Sequence, residues 1–132
     1  MSDETAHRQA IYELLANYGH ILDDVAHHRY PEIFTEDVVF DMSAYGQANL
    51  NSRAEIAAAF QGRHMYGHLT TNIVIEELAR DSAQVHSKFI AFANDGGIHT
   101  GDYFDTVVRT DAGWRLKARK AVPRAPRILT DT

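Results

Sequence analysis

Apolar residues recur at helical spacing near the start of the chain. Within residues 5–25 they fall at i, i+3, i+4 and i+7, as one buried face of an α-helix requires. The members of this face are Ile11, Leu14, Leu15, Tyr18, Leu22 and Val25. The pattern predicts a long amphipathic helix whose last turn contains two adjacent carboxylates, Asp23 and Asp24.

Shorter elements are predicted for the next part of the chain. Residues 27–34 fit a short second helix, and the β-branched run at 38–42 predicts a strand. Residues 53–61 fit a third helix, which Asn51 or Ser52 can cap at its start.

Four strands are predicted for the second half of the chain. Residues 68–78 are rich in β-branched side chains, and residues 83–93 alternate between apolar and polar positions. The sequence NDGG at 94–97 favours a hairpin turn, because glycine adopts positive φ at little cost. Strands at 98–110 and 114–122 complete an antiparallel meander.

This order of elements predicts an α+β fold in which the helices gather on one face of a curved sheet. We expect three helices against a cone-shaped, mostly antiparallel sheet, with an apolar pocket enclosed between the two layers. A single domain should span residues 1–132, with its core at 5–124 and a C-terminal tail at 125–132.

Composition removes several classes of function. The chain has 132 residues, enough to form a hydrophobic core without disulfides or a bound metal. It has no cysteine, which excludes a disulfide, a thiolate nucleophile and a zinc–cysteine site. A net charge of −5 argues against nucleic-acid binding, and no apolar run is long enough to span a membrane. The polar start lacks the apolar core of a signal peptide. We therefore expect a soluble, cytoplasmic protein without nucleic-acid or membrane partners.

Two acidic residues and one histidine are the main candidates for chemistry. A carboxylate at the C-terminal end of a helix opposes the helix dipole, so Asp23 and Asp24 together suggest a use other than helix stability. His68 stands where the strand at 68–78 begins. A carboxylate can fix the tautomer of a histidine and make it a general base. A plain solvent-facing position remains open for all three residues.

Metal and cofactor sites have weak support. His64 and His68 have the spacing of paired metal ligands, but Gly67 interrupts a helix there and no further ligands accompany them. Gly96 and Gly97 lie in a hairpin and do not open a helix, so no phosphate-binding loop is formed. We expect no metal and no cofactor.

The order of elements and several motifs resemble the SnoaL-like branch of the nuclear-transport-factor-2-like superfamily. The resemblance extends from about Thr5 to Arg124 and is carried by LDD, IFTEDVVFD, TTNIVIEEL and GDYFDTVVRTDAGWRLKAR. That branch includes polyketide cyclases, scytalone and bile-acid dehydratases, hexachlorocyclohexane dehydrochlorinase and ketosteroid isomerase. Because this fold hosts many functions, the resemblance implies the fold more strongly than the substrate.

The dehydrochlorinase and dehydratase pattern implies catalytic roles for two residues. The family's catalytic aspartate follows an apolar residue at the end of the first helix, which matches Asp23 after Leu22. Its catalytic histidine stands in an H-x-x-T-N motif, and HLTTN places that role on His68. Asn72, the last residue of the motif, is then expected to bind substrate.

The same resemblance implies further pocket residues. The dehydrochlorinase has an arginine five residues after the tryptophan of the last strand, and Arg119 has that spacing from Trp114. Phe40 matches an aromatic residue that lines the pocket from the first strand. Arg119 and Phe40 are therefore expected to bind substrate. Where the dehydrochlorinase has a lysine, this chain has Tyr18, which is similar to the dehydratase tyrosine that polarises a carbonyl.

Ketosteroid isomerase offers a competing interpretation. Tyr18 also matches that enzyme's oxyanion-hole tyrosine, and Asp105 lies near its protonated aspartate. The position of its base falls on Met42, however, with Asp41 one residue away, and a one-residue offset reverses a strand side chain.

The sequence thus favours a cofactor-independent lyase that eliminates water from a small hydrophobic hydroxylated carbonyl compound. An isomerase, a polyketide cyclase or a non-catalytic ligand-binding or subunit-interaction module remain alternatives. We also expect a homodimer or homotrimer formed through the outer sheet face, with Val74, Val85 and Val107 or their strand neighbours in contact.

Overall fold

A computed structural model describes residues 3–62 and 65–124 of the chain. The predicted tail at 125–132 and His64, one of the two histidines considered as metal ligands, lie outside the described residues. Within the described ranges, no helix is both long and apolar enough to cross a membrane.

The first helix, α1, spans Asp3–Asp23 and buries the apolar face that its spacing predicts. Its buried residues are Ile11, Leu14, Leu15, Tyr18, Gly19, Ile21 and Leu22. The helix ends in a Schellman motif, in which the Ala26 N–H donates to Ile21 O and the Val25 N–H donates to Leu22 O. Val25 is consequently left-handed, with φ 52°, and is half exposed rather than part of the buried face.

Short elements connect α1 to the sheet. They are a 3₁₀ helix at His27–Glu32, strand β1 at Phe34–Asp41, a 3₁₀ turn at Ser43–Tyr45 and helix α2 at Arg53–Phe60. Ser52 caps α2, since its hydroxyl accepts a 3.1 Å hydrogen bond from the Glu55 N–H. The predicted second helix is therefore a 3₁₀ helix, and β1 starts earlier than the β-branched run indicated.

The remaining strands form a meander of long antiparallel hairpins. They are β2 at Met65–Leu78, β3 at Ser82–Ala93, β4 at Ile98–Thr110 and β5 at Gly113–Arg124. The sheet order is β1-β5-β4-β3-β2, and β1 pairs with β5 in parallel. Strand β5 runs through Pro123 to Arg124, beyond the predicted strand at 114–122.

The helices cover only the inner face of this five-stranded mixed sheet. The α+β fold with a curved, unclosed sheet is confirmed. One part of the prediction is wrong, however: Val85 and Val107 lie in the core at 1% and 0% exposure and do not belong to the outer face. They point inward because strand residues alternate between the two faces of the sheet. Of the three valines named, only Val74 is exposed.

Candidate active site

Asp23 holds His68 by two hydrogen bonds. The backbone N–H of His68 donates to Asp23 Oδ2 at 2.9 Å, and the ring Nδ1 lies 2.5 Å from Asp23 Oδ1. An ionised carboxylate only accepts hydrogen bonds, so Nδ1 carries the proton and Nε2 carries the lone pair. Both side chains are partly buried, with exposures of 23% for Asp23 and 14% for His68. The arrangement leaves Nε2 as the basic atom of the imidazole.

Gly19 allows the two elements that carry this pair to meet. Helix α1 packs against β2 next to Asp23, and a Cβ on Gly19 would lie only 2.7 Å from the backbone oxygen of His68. Any larger residue would therefore push the strand away from the helix. The space that Gly19 leaves on the helix is filled by the His68 backbone.

A cavity of about 350 Å³ lies between the helices and the inner face of the sheet. Its walls are mainly aromatic and aliphatic, and His68 and Tyr18 are two of its polar members. The other lining residues are Leu22, Val25, His27, Tyr30, Phe40, Met42, Tyr45, Gln47, Phe60, Met65, Phe89, Tyr103 and Ala121. The size and the apolar lining are typical of a small-molecule site. Phe40 lies in this wall, where the resemblance placed it.

Arg119 packs against the rings of two tyrosines behind the cavity wall. Its guanidinium lies 4.2 Å from the ring centre of Tyr18 and 3.7 Å from that of Tyr103, and the two rings meet edge-on at 74°. Asp105 accepts two hydrogen bonds from Arg119, both of 2.8 Å, and neither side chain of the pair is exposed. The ion pair holds the guanidinium in place, and the cation–π contacts help to orient both rings.

The hydroxyl of Tyr18 is kept protonated by its surroundings. Burial raises the pKa of Tyr18, and the charge of Arg119 and a hydrogen bond with Tyr103 only partly offset that increase. Burial also raises the pKa of Tyr103 well above its usual value. Tyr18 therefore remains a neutral hydrogen-bond donor, and its ring centre lies 6.1 Å from that of His68.

Arg119, expected to bind substrate, lies behind the cavity wall. It points inward, is fully buried and is not among the residues that line the cavity. Its guanidinium packs against the rings of Tyr18 and Tyr103, and Nε and Nη2 donate to Asp105. A direct contact with a ligand stays a prediction.

Asn72, also expected to bind substrate, lies away from the cavity lining. The residue is exposed and has φ 53° at an irregularity in the pairing of β2 with β3. Asparagine tolerates this left-handed conformation better than most residues do. The backbone conformation therefore accounts for an asparagine here, and a contact with a ligand stays a prediction.

The residues named in the competing isomerase interpretation have other contacts or lack a basic group. Asp41 accepts hydrogen bonds from the backbone and side chain of Ser43, and Met42 occupies the cavity wall without a basic group. Asp105 is ion-paired with Arg119, so its oxygens are not free to serve a ligand. Asp24 is exposed, in the solvent-facing position that the sequence left open for it.

Three tyrosines of the cavity, Tyr30, Tyr45 and Tyr103, were missed by sequence reasoning. Tyr103 shares the alternation of β4 with buried Asp105, which could have placed it on the inner face. Tyr30 lies in a short 3₁₀ helix, where the spacing of apolar residues does not identify a buried face.

Among the residues that the structure describes, no group of three or more acidic or histidine side chains could hold a metal ion.

Comparisons with known proteins agree with the fold. The small subunit of anthranilate 1,2-dioxygenase from Burkholderia cepacia is 26% identical over 91% of this chain and 88% of its own length. A provisionally named aromatic ring hydroxylase from Novosphingobium aromaticivorans has 29% identity and a TM-score of 0.80, covering 92% of each chain. A provisionally named scytalone dehydratase from the same organism has 23% identity and a TM-score of 0.76, covering 98% of this chain and 97% of its own.

The family model described as the SnoaL-like domain matches residues 3–120, from the start of α1 into the last strand of the sheet. This match agrees with the resemblance seen in the sequence motifs. This chain belongs to the SnoaL-like domain family.

Proposed function

We propose that this protein is a cofactor-independent lyase that removes water from a small, hydrophobic, hydroxylated carbonyl compound. The observation that carries the proposal is the Asp23–His68 pair, which presents an imidazole in a single tautomer to an apolar cavity. A base of this kind is suited to proton abstraction, because the carboxylate fixes the orientation of the ring and leaves the Nε2 lone pair free. The low polarity of the walls would strengthen each electrostatic contact inside.

The first step of the proposed reaction is proton transfer from carbon. Nε2 of His68 takes the proton from the carbon next to the substrate carbonyl, and the C–H electron pair moves to form an enolate. Asp23 stabilises the imidazolium that results. Tyr18 donates a hydrogen bond to the enolate oxygen, where a preorganised donor contributes about 3 kcal/mol.

The second step breaks the bond to the leaving group. The enolate electrons re-form the carbonyl and a carbon–carbon double bond, and the hydroxyl on the β-carbon departs. Nε2–H of His68 returns its proton to that hydroxyl, so water leaves and the imidazole becomes neutral again. No electron is gained or lost overall, and one histidine serves both steps if the proton and hydroxyl leave from the same face.

Replacement of the base tests this proposal. A panel of β-hydroxy ketones and β-hydroxy thioesters is screened with wild-type protein for growth of the conjugated carbonyl absorbance. His68→Ala should abolish turnover of any substrate found, and His20→Ala, at an exposed site on α1, should leave it unchanged. Turnover by folded His68→Ala close to the wild-type rate contradicts the proposed mechanism.

A non-catalytic role as a subunit is the second candidate. The observation in its favour is the match with a dioxygenase small subunit across most of both chains. On this alternative the chain would bind a large partner subunit, and His68→Ala would have no effect on the activity of the complex. Copurification of tagged protein from its native host, followed by activity assays on the complex, separates the two candidates.

A further inference from the structure

The residue that closes the end of α1 has a backbone conformation that its own side chain disfavours. Val25 is the left-handed residue of the Schellman motif, with φ 52°. Glycine is usual at this position, because a Cβ in the left-handed region lies too close to the following carbonyl oxygen. A branched Cβ makes valine a worse choice there than most residues. Val25 is therefore strained at a position where glycine could form the same hydrogen bonds.

Packing in the core does not account for a valine at this position. Val25 is 45% exposed, whereas Leu22 and Ala26 of the same motif are each 8% exposed. An apolar side chain stabilises the folded state in proportion to the surface that it removes from water. Val25 keeps nearly half of its surface accessible, so its burial contributes less to stability than that of its neighbours.

The side chain of Val25 lies in the wall of the cavity. Leu22 and Phe40 are apolar members of the same wall, but they are only 8% and 3% exposed and therefore offer a ligand less accessible surface than Val25 does. Val25 also follows Asp23, which holds His68, by two residues. Backbone strain that a fold maintains beside a ligand site is often part of how that site works.

We propose that Val25 determines specificity: its isopropyl group packs on an alkyl or aryl part of the ligand, and this contact is the reason for a valine at a position that favours glycine. The inference rests on the cavity being the ligand site of the proposed function, but it does not require turnover. It predicts that replacement by glycine makes the protein more stable and its ligand binding weaker. A residue that served the fold alone would lose stability on the same replacement.

Thermal unfolding without a ligand provides the first test. Val25→Gly should raise the melting temperature by about 2 to 6 °C, because glycine adopts the left-handed region without strain. Val25→Ala should raise it less, since the Cβ of alanine retains part of the strain. Ala16→Gly is the matched control at an exposed position within α1, and it should lower the melting temperature through helix propensity.

Binding of an uncharged apolar dye provides the second test. The probe is N-phenyl-1-naphthylamine, whose fluorescence increases in apolar surroundings. Val25→Ala should weaken its binding roughly 3- to 10-fold, because two methyl groups are lost from the contact. Val25→Thr keeps the branched shape but places a hydroxyl against the dye, so it should also weaken binding. Ile98→Ala, at an exposed apolar position outside the cavity lining, should bind the dye as wild type does.

Several results would overturn the inference. They are a melting temperature of Val25→Gly at or below that of wild type, dye binding by Val25→Ala and Val25→Thr that equals wild type, and absence of dye binding by wild type. Weakening by Ile98→Ala as large as that by Val25→Ala would also overturn it, because the contact would then not be specific to Val25.

The two proposals fail in different ways. If the Val25 variants bind the dye weakly while folded His68→Ala retains full turnover of a substrate, the Val25 contact stands and the elimination mechanism falls. If His68→Ala is inactive while the Val25 variants bind the dye normally, the mechanism stands and the Val25 contact falls.

Discussion

At the scale of single residues, the site depends on the two hydrogen bonds that the carboxylate oxygens of Asp23 accept from His68. One oxygen accepts from the backbone of His68 and the other from its ring, so a single carboxylate fixes both the strand and the tautomer. An asparagine has only one accepting oxygen, which can serve the His68 backbone N–H but not the ring as well. Asp23→Asn should therefore keep the contact between helix and strand while losing the fixed tautomer of His68.

Asp23→Asn tests this at the level of turnover. With a substrate from the screen, kcat should fall by several orders of magnitude, because an amide does not stabilise the imidazolium. The melting temperature should change little by comparison. Asp24→Asn is the matched control, since Asp24 is adjacent and exposed, and it should retain wild-type kcat. Equal losses in both variants would count against a special role for Asp23.

The sequence could predict the contact between Asp23 and His68 only through family resemblance. The two residues are 45 positions apart, and helical periodicity placed Asp23 only in the last turn of the predicted helix. Motif matching did not reveal that Asn72 and Arg119 lie outside the cavity lining. Asn72 of HLTTN has a left-handed backbone, and spacing from Trp114 does not reveal the buried partner of Arg119.

At the scale of elements, close packing of α1 on β2 sets the position of His68. Glycine within a helix is normally unfavourable, by about 1 kcal/mol relative to alanine. At Gly19 this preference is reversed, because a Cβ would collide with the His68 backbone. The contact between helix and strand therefore outweighs helix propensity at this position.

Gly19→Ala should lower both the melting temperature and kcat, although alanine is the better helix former. The matched control is Ala16→Gly at an exposed position of the same helix. That change should cost about 1 kcal/mol of unfolding free energy through propensity alone, and it should leave kcat per folded molecule unchanged. Unfolding by denaturant and assays at saturating substrate measure the two quantities. A Gly19→Ala protein that is more stable and fully active would contradict the close contact.

The outer face of the sheet carries its own ionic cluster, centred on Asp102. Asp102 accepts hydrogen bonds from His86 at 3.0 Å and from Arg124 at 3.2 Å, and His86 stacks on Phe104 with ring centres 4.6 Å apart. Burial disfavours the ionised carboxyl, but the hydrogen bond from His86 and the charge of Arg124 outweigh burial and lower the pKa of Asp102. The folded state therefore favours ionised Asp102.

This shift makes part of the stability dependent on pH. A carboxyl whose pKa is lower in the folded state contributes stability that is complete above its unfolded value of 3.8 and is lost as pH falls through the folded value. Asp102→Asn should melt below wild type near neutral pH, and the difference should shrink as the pH drops below that value. Asp111→Asn, at an exposed site, should have the wild-type melting temperature at every pH tested. A constant difference between Asp102→Asn and wild type would refute the linkage.

At the scale of the whole molecule, the outer sheet face is the surface that the fold leaves uncovered. Val74, His86 and Phe104 lie in one row across β2, β3 and β4, and Val74 and Phe104 are 56% and 44% exposed. Leu69 on β2 adds another exposed apolar side chain. Exposed apolar groups that adjoin one another commonly mark an interface.

We expect this face to form a homodimer or homotrimer. Val74→Glu should shift the sedimentation coefficient at micromolar concentration towards that of a monomer, because it places a charge among the exposed apolar side chains of this face. Tyr12→Glu changes an exposed aromatic residue on α1, away from the sheet, and should leave the assembly intact. Wild-type protein that sediments as a monomer would argue against self-association and leave the fold unaffected.

The parallel pairing of β1 with β5 has a consequence for how the chain reaches its native state. Phe34 of β1 lies opposite Leu116 of β5, so a strand made early during synthesis finds its neighbour only after nearly the whole domain has been made. Pairing of residues so far apart in sequence slows folding. The hairpins of β2 to β5 join neighbouring segments and can form first. Until β5 emerges from the ribosome, β1 has an open edge and the apolar face of α1 lacks its full cover, which makes the nascent chain a candidate for chaperone binding.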